Sequence, residues 1–199
     1  MTTRKTSSIL DRQISKPKND QVSMSAFAYL YSELVQYHQT RVSSISELEQ
    51  RLSSSGYGVG FKVLELLAYR SKENKRETRI MSILQFISST VWKSLFGRAA
   101  DSLERSIDHA DEYMIFDYNP ITSNFVSVHQ SSADAYVSGI IAGVLEGAGF
   151  SARVSAHTVD VEEGESRNGY VGLPSRKDKA VFLVKFSEKV LKRDAALER

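Results

Sequence analysis

From Thr78 to Phe96 apolar side chains recur on nearly every side of a helical projection: Ile80, Met81, Ile83, Leu84, Phe86, Ile87, Val91, Trp92, Leu95 and Phe96. A helix apolar all round is not a surface helix; it sits at the centre of a fold or crosses a membrane. Crossing takes about 20 predominantly apolar residues, and Arg79, Gln85, Ser88, Ser89, Thr90 and Lys93 interrupt this run. The segment is therefore expected to be the central helix of one core, with Gly97 as its C-cap. The rest of the chain has to supply the layers that cover it.

With 199 residues, 41% of them hydrophobic and 25% charged, the chain has material for one compact domain with tails. Ser23 is placed to cap a helix over 24–42, whose Met24, Phe27, Ala28, Leu30, Tyr31, Leu34 and Val35 spread over close to half the circumference, widened by Tyr37. A helix that packs only on its own core needs a stripe of about 100°, so part of this face is expected to meet another chain. Ser44 and Glu47 form a capping box that opens a short second helix carrying Ile45, Leu48 and Leu52. Ser53-Ser54-Ser55-Gly56 is expected to end it, and a third helix to run over 57–70, followed by an exposed link at 71–76.

Beyond a short amphipathic helix near 100–107 the pattern turns to strands. Tyr113–Tyr118 and Phe125–Val128, around the turn pair Asn119-Pro120, suggest a hairpin. A helix over 132–148 follows, then strands around 150–156 and 181–185. Between them residues 159–179, rich in Gly, Ser and charge, have little to bury against the entropy of ordering and are expected to form a flexible insertion. Residues 187–199 form a charged helix or tail. The sum is an α+β domain: a helical layer of about four to five helices on a twisted, mainly antiparallel four-stranded sheet.

Chemistry-bearing patterns are sparse. The absence of cysteine excludes disulfides, thiolate metal sites and S-acylation, and favours the cytosol. His38, His109, His129 and His157 fall in four elements without metal-ligand spacing. No Gly-x-Ser-x-Gly elbow is present, and Glu33, Glu65 and Glu77 lack a second carboxylate at diagnostic spacing, so no catalytic residue, cofactor or metal is expected. Gly56, Gly58 and Gly60 read as a helix break and Gly147 with Gly149 as a C-cap, not as phosphate cradles. Gly139, Gly143 and Gly147 recur at i, i+4 on one helix, which calls for a close neighbour to offset their cost. A net charge of +2 gives no nucleic-acid surface. A basic arm over 1–20, with Arg4, Lys5, Arg12, Lys16 and Lys18, reads as a solvated leader or an anionic-partner contact. No apolar leader and no Gly at position 2 mean that membrane contact is expected to be indirect.

Several longer stretches resemble the small core subunits of the TRAPP complex, in particular its subunit-five branch. They are Ser25-Ala26-Phe27 to Gln36, Arg76-Glu77-Thr78 to Gly97, Gly139-Ile140 with Gly143, Gly149 to His157, and Lys185-Phe186, in consistent order from Ser8 to Asp194. The resemblance implies one domain over 21–194 with tails at 1–20 and 195–199. It implies a non-catalytic structural subunit that pairs through its first helix, by Phe27, Leu30, Tyr31, Leu34 and Val35, with a homologous subunit bearing an acyl channel. It also implies a longin-type subunit on the other side, and a Rab GTPase reached through the complex, with the basic arm as a candidate contact. The assembly would act as a nucleotide exchange factor and tether in endoplasmic reticulum to Golgi transport, and the chain would be cytoplasmic, peripheral at both membranes. Residues 71–75 lack the cysteine that the channel-bearing relative acylates, which speaks against thioester acylation here. The rival reading is a small-molecule or lipid-binding module of the same fold.

Overall fold

The computed structural model describes residues 22–71, 76–122, 130–161 and 178–197. Helix α1 spans Met24–Gln39 and α2 spans Ile45–Ser71. Ser23 occupies the N-cap position of α1 but makes no side-chain cap bond, and the helix ends three residues before Val42, with Thr40 as its C-cap. Val42 instead turns in to pack beside α1 and α2. The capping box forms at the start of α2: the Glu47 N–H donates to Ser44 Oγ (3.2 Å), and Glu47 Oε2 accepts from the Ser43 N–H (3.1 Å).

The expected break at 53–56 does not occur, since α2 runs unbroken for 27 residues. Its glycines mark a contact. A Cβ at Gly56 would collide with the Tyr136 carbonyl and one at Gly60 with the Ile140 carbonyl, while one at Gly139 or Gly143 would strike the backbone of Ser53 or Tyr57. These positions belong to α2 and α5 (Gln130–Gly147), so two helices meet backbone to backbone, and the missing side chains are what let them approach. The close neighbour expected for the glycine repeat of α5 is therefore α2.

The central run is one helical rod: α3 (Ile80–Gln85), a π-helical turn (Phe86–Val91) and α4 (Trp92–Phe96). Ile80, Ile83, Leu84, Ile87, Val91 and Trp92 are buried, and Gly97 ends the rod at φ 77°. The interrupting polar residues Gln85, Ser89, Thr90 and Lys93 lie on its exposed side. Inside the π turn the Ser88 carbonyl accepts from the Ala100 N–H (2.8 Å), which folds the chain after the rod back along it.

The helix expected near 100–107 is instead strand β1 (Ser102–Arg105), paired antiparallel with β2 (Glu112–Asp117), with Leu103 opposite Ile115. So short a helix is marginal alone, whereas the β2 edge offers backbone partners and Leu103 joins the core. β3 (Ala152–Asp160) and β4 (Asp178–Phe186) complete an antiparallel sheet of order β1-β2-β4-β3. Both edges of β2 are thus taken by β1 and β4, and Phe125–Val128 lie outside the described residues. The strands also reach into the expected insertion: Val159 pairs with Lys179 and Asp160 with Asp178. Residues 162–177 lie outside the described residues.

Tyr113, Ile115, Phe182, Val184 and Phe186 face the rod and α5 in one core. Gly149 at φ 81° closes α5, where the Phe150 N–H bonds Leu145 O and the Gly149 N–H bonds Glu146 O, the paired pattern of a Schellman end. Helix α6 (Glu188–Ala196) continues past the expected tail boundary at 195 and buries Val190. Among the described residues, five helical rods therefore cover an open antiparallel sheet, an α+β architecture.

Candidate functional site

Helix α1 has two apolar sides with different fates. One faces inward. Tyr31 is 3% and Val35 7% exposed, and with Leu48, Leu52, Ala133 and Ala135 they make a second core. The Tyr31 hydroxyl donates to the Ala133 carbonyl (2.5 Å), its ring stacks on Phe27 with centroids 5.7 Å apart, and it tilts against Tyr136 at 5.5 Å. Burial, with Asp134 nearby, drives the Tyr31 phenol far above its usual range, so it remains a neutral donor.

The other side is open. Leu30 is 73% and Tyr37 51% exposed on it, Tyr29 is 80% exposed about a quarter-turn round from Leu30, and Met24 in the first turn and Val22 ahead of the helix are also exposed. Phe27 and Leu34 are half-buried between the two sides. Of the five residues expected at a partner surface, Leu30 is thus presented outright, Phe27 and Leu34 contribute edges, and Tyr31 and Val35 are committed to the chain's own core. That last pair corrects the expectation: the broad arc is broad because it serves two faces, and the inner one is satisfied within the chain. Tyr29 was not legible as an exposed aromatic, because it stands inside the run Phe27-Ala28-Tyr29-Leu30-Tyr31, while its helical neighbours Ser25, Ser32 and Glu33 are polar. On α2, Ile45, Tyr57, Phe61 and Tyr69 add exposed apolar surface, and Tyr57 and Phe61 lie edge to face at 5.2 Å.

The rest of the expected chemistry is dispersed. Arg4, Lys5, Arg12, Lys16, Lys18 and His129 lie outside the described residues. Glu33 and Glu65 stand exposed on separate helices. One feature the sequence reading passed over is a cluster at the β1–β2 turn, where ligand atoms of His109, Asp111 and Glu112 lie within 4.8 Å of one another. Lys185 already serves its carboxylates, at 2.8 Å from Glu112 and 3.5 Å from Asp111, and the Glu112 bond holds its ammonium above the usual range. A cation entering there would have to displace a lysine.

Among the described residues the candidate site is therefore apolar surface, carried by a helix pinned from behind by Tyr31. A family comparison places the chain: a model described as transport protein particle (TRAPP) component matches residues 27–187. The chain belongs to the TRAPP component family. Its relatives within that family agree. It is 47% identical over 191 residues to trafficking protein particle complex subunit 5 of Dictyostelium discoideum, covering 94% of this chain and 96% of that one. It is 38% identical over 200 residues to subunit 5 of Homo sapiens, covering 98% and 96%. Subunit 31 of Saccharomyces cerevisiae is 26% identical over 239 residues, covering 89% and 80%. A crystal structure of trafficking protein particle complex subunit 3 from Naegleria fowleri, covalently bound to palmitic acid, superposes with a TM-score of 0.62 at 19% identity, over 83% of this chain and 95% of that one. At that identity the TRAPP structure attests the fold. Other TRAPP subunits are the partners that membership implies.

Proposed function

We propose that this chain is a non-catalytic core subunit that pairs through the outer side of α1 with a homologous, acyl-channel-bearing TRAPP subunit. Through that assembly it serves as a structural part of a Rab exchange factor and tether in endoplasmic reticulum to Golgi transport, with a longin-type subunit as a further neighbour. The observation that carries the reading is Leu30, an apolar side chain left 73% exposed beside half-buried Phe27 and Leu34. Contiguous exposed apolar surface on a soluble protein marks an interaction site. Exchange would arise from surfaces supplied jointly by several subunits, so the isolated chain is expected to show none. The proposed location is the cytoplasmic side of cis-Golgi and endoplasmic reticulum membranes. Among the described residues no helix is long and apolar enough to cross a membrane, in keeping with indirect attachment.

Leu30→Asp tests the pairing, because it places a charge at the centre of the exposed side while touching neither Tyr31 nor Val35. Co-expressed with the channel-bearing subunit, the variant is expected to lose co-purification while keeping the wild-type melting temperature. Undiminished complex yield would refute the pairing. The basic arm is proposed as an auxiliary contact to the Rab: removal of residues 1–20 should leave assembly intact and slow exchange by the reconstituted complex, and an unchanged rate would make the arm a solvated leader. The palmitate of the subunit 3 structure has no counterpart by thiol chemistry here, since this chain has no cysteine.

A further inference from the structure

His38 lies one turn past Val35 and two past Tyr31, on the side of α1 that faces α2, and its surroundings are ill-suited to a second proton. Its Nε2 is 3.1 Å from Ser55 Oγ, and the same hydroxyl lies 3.0 Å from the Arg51 carbonyl. If the hydroxyl proton points at that carbonyl, Ser55 accepts from an Nε2–H, and Nδ1 carries only a lone pair. Nδ1 is buried and has no hydrogen-bond partner among the described residues. A buried lone pair without a donor is tolerable, but a buried N–H without an acceptor costs its full desolvation. The bonding of Ser55 and the isolation of Nδ1 therefore both select the neutral Nε2–H form.

The charges around the ring act in the same direction. From α1 the ring is met edge-on by Tyr37, with centroids 5.4 Å apart, and the Arg41 guanidinium lies 3.6 Å over the Tyr37 ring. From α2 come Ser55 and Arg51. Of the two acidic groups on this stretch of α2, Glu47 is engaged by Arg51 (3.0 Å) and by the Ser43 N–H, and the half-buried Glu49 has an interaction of its own. On α5, Asp134 accepts from Thr122 Oγ1 and acts on Tyr31, two turns away from His38 along α1. Two cations thus act on the imidazole, and burial together with Arg51 and Arg41 holds its pKa below the usual histidine range. The sign follows: a depressed histidine stabilises the fold in its neutral form, fully so above its unfolded value, and that stability is lost as the pH falls through the folded one.

We infer that His38 is a proton-sensitive pin between α1 and α2, and that its protonation loosens the helix whose outer side carries Leu30 and Tyr37. As a control on partner pairing this rests on the reading of α1 given above; as a property of the isolated chain it does not. Acid would add a positive charge between Arg41 and Arg51 and create an Nδ1–H with nothing to accept it. The helix can answer by lifting away from Ser55, which moves the exposed stripe relative to α2.

The test is amide hydrogen exchange of α1 in the full chain at about pH 7.5 and about pH 5.5, corrected for intrinsic exchange and compared with His38→Gln. Glutamine can still donate to Ser55 but does not titrate. In the wild type the α1 amides are expected to exchange several-fold faster at the lower pH, with α5 unchanged, and His38→Gln should remove the difference. An equal acid response in both proteins, or none in the wild type, would overturn the pin. Should the glutamine variant fold poorly, Ser55→Ala gives an independent reading: α1 exchange should already be fast at the higher pH, and protection at the wild-type level would overturn it too. Affinity for the channel-bearing subunit, measured at the same two pH values, separates the two ideas. Loosening of α1 with falling affinity supports both, whereas loosening with constant affinity keeps the pin and refutes α1 as the pairing surface.

Discussion

Asp117 is 2% exposed, and a carboxylate so deep in a fold has to be surrounded by donors. It accepts from Trp92 Nε1 and the Asn119 N–H, both at 3.0 Å, and pairs with the Arg98 guanidinium. Arg98 also reaches Asp101 at 3.0 Å, and Asp101 in turn accepts from the Tyr118 N–H. This network ties the end of the central rod to the end of β2. Burial pushes the Asp117 carboxyl up, against the pull of Arg98, Trp92 and Asn119. A raised carboxyl means that the folded state holds its proton more tightly than the unfolded chain, so the contribution to stability is greatest at acid pH and declines as pH rises through the folded value. Asp117→Ala removes the acceptor and leaves Arg98 partly buried and still paired with Asp101. Breaking a buried pair from one side costs about 3–5 kcal/mol, which urea unfolding at neutral pH would register as a lowered midpoint. Asp117→Asn keeps the shape and the Trp92 bond, should cost less, and should flatten the pH dependence. None of this network was legible beforehand, because partners 19 and 25 residues apart have no period to connect them.

At the scale of elements, what the sequence disclosed was whatever repeats along one element. The apolar period of the rod placed it in the core, and Gly149 ended α5 where expected. What failed were inferences in which the partner decides. Gly56 and Gly60 have the composition of a break, and only the presence of α5 turns them into a seam; Ser102–Arg105 has the pattern of a helical turn, and only the edge of β2 makes it a strand. The same blindness divided α1 wrongly, since a period shows that Tyr31 and Leu30 are apolar but not which one its own chain will cover. The seam yields a paired prediction on a single helix. Replacing glycine by alanine in a helix interior normally gains about 0.5–1 kcal/mol. Gly58 has nothing within 4 Å of an added Cβ, so Gly58→Ala should show that gain. At Gly56 and Gly60 the added methyl would meet backbone carbonyls of α5, which a rotamer change cannot relieve. Gly56→Ala or Gly60→Ala should therefore cost at least the roughly 1–3 kcal/mol of an overpacked core. Thermal unfolding of the three variants decides the matter: equal gains at all three positions would mean that α2 and α5 are not in backbone contact.

Over the whole molecule, the end of the chain completes a helix that starts 114 residues earlier. The central rod begins at Ile80, which is buried, and Arg79 at its N-cap position supplies no side-chain cap. Asp194 does so from α6: its Oδ1 accepts from the Ile80 N–H at 3.1 Å and pairs with Arg79 Nε at 3.0 Å. A carboxylate there satisfies one of the orphan donors of the rod and faces the positive end of its dipole. Around it α6 is fixed at two more points. Val190 enters the core, and Arg193 donates to the Gly149 carbonyl at 2.9 Å while lying 4.6 Å over the Phe150 ring. The rod, the end of α5 and the last helix therefore meet in one joint. Loss of a side-chain cap costs about 0.5–2 kcal/mol, and this one is part-buried and also holds Arg79, so Asp194→Ala should fall in the upper half of that range. Lys192→Ala is the matched control on the same helix. It breaks only an exposed i, i+4 pair with Glu188, which is worth about 0.3–0.5 kcal/mol. If urea unfolding gave the two variants the same small loss, the bond across the joint would be geometry without energetic consequence. If Asp194→Ala alone lowered the midpoint, and exchange rose at Ile80 and along α6 together, the last helix would count as part of the central rod's own folding unit.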